Sequence, residues 1–176
     1  MVYPEIVVAG CGNPLYGDDG FGPAVAQELH KFSFPDHILV IDAGMSAPEQ
    51  IFPLLDPAIT KKLIIVDIAD FCSEPGSVTL LRPSDFPHGG IRDAHNGGII
   101  GSLHNIREGF EITIIGCQPG RITDPAMEIG LSEEVKNAIP KTIRIIQALI
   151  GMTDTGSMGK LPEITDNRGK TGPNRF

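Results

Sequence analysis

Two aspartates that follow strand-like runs are the side chains of this sequence best placed to do chemistry. Asp19 lies in Gly10-Cys11-Gly12-Asn13-Pro14-Leu15-Tyr16-Gly17-Asp18-Asp19-Gly20, directly after the β-branched run Glu5-Ile6-Val7-Val8-Ala9, and Asp67 closes the aliphatic run Leu63-Ile64-Ile65-Val66. If these runs are parallel strands flanking the switch point of a doubly wound sheet, both carboxylates open into one crevice, because ligands of such sheets bind outside the carboxyl ends of the strands. Histidine supplies a third group. Among the 5 histidines, His95 is favoured because it stands in Asp93-Ala94-His95-Asn96-Gly97-Gly98, just before an apolar segment that can be helical. His88 and His104 are alternatives with less context, while His30, at a helix end, and His37, in a connecting loop, read as solvated. Asp19, Asp67 and His95 would form a set of two carboxylates and one imidazole, which suits a divalent first-row ion and leaves positions open for water or substrate. Ordinary readings compete: Asp18 stands where an N-cap is expected, and Asp42 and Asp67 stand where a strand-end carboxylate bonds a loop amide.

Several function classes drop out on the same evidence. The Gly-Cys-Gly opening fails the dinucleotide fingerprint, since Leu15 occupies the place of the third glycine, and no Gly-Lys-Ser/Thr follows to make a P-loop. Asp18 and Asp19 would repel a phosphate, so this loop suits a cation. There is no His-Glu-x-x-His, no Gly-x-Ser-x-Gly and no cysteine plainly activated by a base. With 14 Lys and Arg against 22 Asp and Glu, the net charge of −8 argues against nucleic acid as a partner. The three cysteines, Cys11, Cys72 and Cys117, form no Cys-x-x-Cys pair and no disulfide framework. No apolar run approaches the roughly 20 residues of a bilayer span, and Met1-Val2-Tyr3-Pro4-Glu5 does not read as a secretory signal. A cytoplasmic protein that avoids membranes is expected.

The elements that must position these residues follow from hydrophobic pattern. Runs 5–10, 38–42, 63–67 and 112–116 look like strands buried on both faces, and 20–30, with Phe21, Val25 and Leu29 at helical spacing, completes a βαβ unit with the first two. Residues 48–55 predict a short helix, and 132–150 a long closing one that Pro140 interrupts. Ser77-Val78-Thr79-Leu80-Leu81 follows the third strand by too few residues for a helical crossover, so it is expected antiparallel and at an edge. The 176 residues, 41% hydrophobic and 20% charged, thus predict a single three-layer α/β/α domain over residues 1–151, with a twisted, mainly parallel five-stranded sheet and one antiparallel strand. Residues 152–176 carry hardly any large apolar side chain and are expected to form a flexible polar tail.

The string from Gly10 to Gly22 resembles the opening signature of the hydrogenase maturation endopeptidases, which clip the C-terminal extension of the [NiFe]-hydrogenase large subunit. Three further pieces fall in that family's order: Ile41-Asp42-Ala43-Gly44, Leu63-Ile64-Ile65-Val66-Asp67 followed by Pro75-Gly76, and Ile114-Ile115-Gly116-Cys117-Gln118-Pro119. The resemblance covers about residues 5–150. It implies that Asp19, often Glu in relatives, Asp67 and His95 meet nickel already inserted in the large-subunit precursor. The metal would then belong to the substrate, no organic cofactor would be needed, and the partner would be the precursor itself. Either a carboxylate acting as general base or the nickel would activate water. The Gly-Asp-Asp-Gly-Phe-Gly and Gly-Cys-Gln-Pro versions look most like members serving coenzyme F420-reducing hydrogenases. Two other readings are weighed against this one: a nickel-checking chaperone that recognises the loaded subunit without cutting it, and a flavodoxin-like nucleotide module, for which the acidic loop has the wrong charge.

Overall fold

A computed structural model describes residues 3–83 and 109–152 of the chain. Its sheet has five strands: β1 (Ile6–Cys11), β2 (Ile38–Gly44), β3 (Lys62–Ile68), β4 (Val78–Leu81) and β5 (Glu111–Cys117). They lie in the order β2-β1-β3-β5-β4. The β1–β2, β1–β3 and β3–β5 pairs are parallel and β4 runs antiparallel along β5 at the edge, as the short connection from β3 demands. Register is set by burial on both faces: Val8 and Val66 pack on one side of the sheet, and Val7, Ala9, Leu63 and Ile65 on the other.

Helices α1 (Phe21–Leu29) and α3 (Glu133–Leu149) cover the first side, where Phe21, Val25, Leu29, Val135, Ala138, Ile145 and Ile146 join the core. The buried positions of α3 recur every three to four residues, so an amphipathic stripe drives its docking. Pro140 stands inside α3, where its ring withholds the N–H that would close a turn onto residue 136. The other side is covered by α2 (Ala47–Ile51), which buries Ala47 and Ile51. The single helix expected over 48–55 is in fact this short α-helix followed by a 3-10 turn, Phe52–Leu54; Pro53 cannot donate the next helical hydrogen bond. At the C-terminal end Met152 packs against the core and donates its N–H to the Gln147 carbonyl at 2.8 Å. The remainder of the expected tail, from residue 153, lies outside the described residues.

Two features lock α1 onto the sheet. A Cβ on Gly22 would fall 2.2 Å from the Cys11 carbonyl oxygen and 2.4 Å from that of Val66, so only glycine lets the helix start this close to the ends of β1 and β3. The close helix–strand approach that Leu15 cannot supply is therefore supplied further on. The second feature is Asp18, which opens the 3-10 turn Asp18–Gly20 but does not cap it. Its buried carboxylate accepts the N–H groups of Gly120 at 2.8 Å, Arg121 at 2.7 Å and Ser132 at 2.6 Å, and the Ser132 hydroxyl at 2.9 Å.

Asp18→Asn turns an amide NH2 toward donors that need an acceptor, and leaves buried N–H groups unsatisfied. We expect a loss of about 3 kcal/mol in urea unfolding; stability equal to wild type would contradict the clamp.

Candidate functional site

The carboxyl ends of β1 and β3 bring the two sequence-predicted aspartates to one edge. Beyond β1 the chain turns at Gly12, whose φ of +122° and whose approach to the Asp19 carbonyl leave no room for a Cβ. That turn seats Asp19 in the 3-10 turn before α1, nearly fully buried, with Oδ2 accepting the Asn13 N–H at 2.8 Å. Asp67 is half-buried in the last turn of β3, and its Oδ1 accepts the Ile68 N–H at 2.8 Å. Burial first, and then the Asp67 and Asp42 carboxylates, push the Cys11 thiol well above its ordinary range. Asp19 Oδ1 lies 3.5 Å from the Cβ position of Gly12. Each of the two carboxylates is oriented by a main-chain N–H.

Asp42 sits on β2, the neighbour of β1 on its other side, and is exposed; its Oδ1 accepts the Gly44 N–H at 3.1 Å, as a strand-end aspartate commonly does. It turns toward a groove beside α1. His30 and His37 are exposed, as expected, and the Nε2 of His30 lies 3.1 Å from the Val40 carbonyl. His95, His88 and His104 lie outside the described residues. Among the described residues no group of three or more His, Cys, Asp or Glu side chains could hold a metal ion.

Sequence reasoning named Gln118 only as part of a motif, whereas the structure gives it a positioning role. Its Oε1 accepts the N–H groups of Phe71 at 2.9 Å and Ser73 at 3.2 Å, and its Nε2 donates to Asp70 at 3.2 Å. The loop leaving Asp67 is thereby tied to the end of β5. A glutamine directly after the apolar run of β5, at a buried position, was the available signal. Cys117, next to it, is pushed up to about 12 by burial and then by Asp18. Cys11 and Cys117 therefore stay protonated near neutral pH, which leaves carboxylates as the chemical groups of this edge. Two carboxylates so placed can act as general base toward water or as oxygen ligands to a hard or borderline cation.

The chain resembles known proteins over most of its length. The family model for hydrogenase maturation proteases matches residues 23–149. A putative hydrogenase maturation protease of Methanocaldococcus jannaschii is 43% identical, covering 83% of this chain and 96% of its own. The coenzyme F420 hydrogenase subunit delta of Methanothermobacter thermautotrophicus is 38% identical, over 85% and 96% of the two chains. Among solved structures, a [NiFe] hydrogenase maturation protease from Thermococcus kodakarensis superposes with a TM-score of 0.68 at 25% identity, covering 84% of this chain and 92% of that one. A hydrogenase 2 maturation peptidase from a Thaumarchaeota archaeon gives 0.61 at 30% identity, over 85% and 99%. The match over most of the α/β domain, together with these relatives, places this chain in the hydrogenase maturation protease family, as a peptidase.

Proposed function

We propose that this peptidase removes the C-terminal extension of a [NiFe]-hydrogenase large-subunit precursor after nickel insertion, and that it reads the loaded state through Asp19, Asp67 and His95. The observation that carries this is that Asp19, in the turn that follows β1, and Asp67, near the end of β3, stand at the carboxyl edge of adjacent parallel strands. The nickel is part of the substrate. Two carboxylates and one imidazole leave coordination positions open, which suits an ion that another protein already holds. The relative named for a coenzyme F420 hydrogenase favours a precursor of that class as the partner. No described helix is long and apolar enough to cross a membrane, and we place the reaction in the cytoplasm.

Hydrolysis adds water to the scissile carbonyl carbon and breaks its C–N bond, with one proton of the water passing to the departing amine. A carboxylate of this edge can carry that proton, or the ion can lower the pKa of the water and polarise the carbonyl. On either route Asp19 and Asp67 must be ionised and fixed, which their main-chain hydrogen bonds help to achieve.

Intact-mass analysis of the precursor, with and without nickel, tests the reading. Loss of a C-terminal peptide only from the loaded form is expected with the wild type, and a fall of at least about 100-fold in rate with Asp19→Asn or Asp67→Asn at near-native melting temperature. Complex formation with loaded precursor that never shortens would establish the non-cleaving chaperone instead. Thiol titration checks the assignment to carboxylates: the native protein should react quickly at Cys72, which is exposed, and at the buried Cys11 and Cys117 only after unfolding, without loss of cleavage on labelling Cys72.

A further inference from the structure

Among the described residues, the segment around Glu128 is paired along only one of its main-chain edges. Gly17 donates its N–H to the Glu128 carbonyl at 2.8 Å and Glu128 donates its own to the Leu15 carbonyl at 2.8 Å, forming a parallel bridge between Tyr16 and Glu128. In extended chain the main-chain groups of alternate residues face opposite edges, so those of Met127 and Ile129 face away from the first loop. No described residue pairs with them. Their side chains are 73% and 79% exposed, and that of Leu15 in the adjoining turn is 39% exposed. Large apolar side chains beside an unpaired edge are the features of a strand-addition site.

This rim opens onto a groove of about 370 Å³, lined by Ile129 and Leu131 on one side, by Pro23 and Gln27 of α1 on the other, and by the exposed Asp42. Gly17 and Gly20, which bracket Asp18-Asp19 in sequence, also line it. The titratable side chains of its described lining are Asp42 and His30.

We propose that the Met127–Ile129 edge and this groove bind the extended segment of the precursor that adjoins the scissile bond. It lies there as an added strand, its apolar side chain against Leu15, Met127 and Ile129 and a basic side chain toward Asp42. The inference rests on the reading of this chain as a precursor-cleaving peptidase. An extended segment awaiting cleavage has unpaired N–H and C=O groups of its own, which the free edge satisfies. Charge selects the occupant: a second copy of this chain would bring its own net charge of −8 against an equal one, whereas a basic, apolar peptide complements that charge and Asp42.

Ile129→Glu and Met127→Glu change exposed side chains and should leave melting temperature near wild type, while raising KM for the precursor about tenfold with kcat within about twofold. Asp42→Lys should raise KM similarly. A wild type that cuts beside variants whose KM is unchanged overturns the docking surface and leaves the peptidase reading intact. A photo-crosslinking residue in place of Ile129, in an Asp19→Asn background, gives a readout without turnover. Crosslinks to the precursor's C-terminal segment support the surface, even if wild type leaves the precursor uncut, in which case only the peptidase reading falls. Crosslinks confined to a second copy or to a remote face of the precursor overturn it.

Discussion

The buried carboxylate of Asp18 is where three otherwise separate parts of the chain meet. Its partners, Gly120, Arg121 and Ser132, stand 102, 103 and 114 residues further along the sequence. Hydrogen bonds to a carboxylate are stronger than neutral ones, and in a water-free setting every donor that loses its acceptor carries its full desolvation cost. Asp18 therefore holds the first loop, the loop after β5 and the start of α3 as one unit. Asp19 follows it in the 3-10 turn, and the segment through Glu128 is threaded back along residues 15–17 by main-chain bonds. The position of the candidate chemistry and the shape of the neighbouring groove both depend on this one clamp.

Close packing adds to it. Gly22 lets α1 begin against the carbonyl groups of Cys11 and Val66, which draws the first loop over the ends of β1 and β3. Gln118 does the corresponding work on the other flank, taking the N–H groups of Phe71 and Ser73 and thereby fixing the chain just after Asp67. The carboxylates are thus set from opposite sides of a rigid sheet edge. Both supports are built from groups that take no part in the proposed hydrolysis, and that separation lets the edge stay ordered while a large substrate docks and leaves.

Much of this was legible in the residues, and the reasons are physical. Strands buried on both faces read as continuous aliphatic runs, and the shortness of the connection between β3 and β4 forced the antiparallel edge. Asp19 and Asp67 were legible because carboxylates at strand ends of a doubly wound sheet share an edge whenever their strands are neighbours. The role of Asp18 was not, because local sequence offers it only as an N-cap while its actual partners are distant in the chain. The split of the expected helix at 48–55 turned on a single missing N–H at Pro53. The free edge at Met127 and Ile129 was hidden for another reason: a bridge of one residue has no hydrophobic period.

An incomplete ligand set has a consequence for specificity. Two carboxylates and one imidazole hold a first-row ion less tightly than a complete ligand set, because the remaining coordination positions are filled by exchanging water. On the proposed reading the precursor supplies the ion with its other ligands in place, so the carboxylates gain affinity only for loaded substrate. The groove and the strand edge make the complementary contribution, which is blind to the metal but sensitive to sequence. Neither contact alone needs to be tight. When both belong to one molecule, the second forms at the high effective concentration created by the first, so discrimination between loaded and empty precursor is multiplied by discrimination between this extension and any other peptide. A peptidase can be selective in this way, and the carboxylate edge held in place by Asp18 is suited to it.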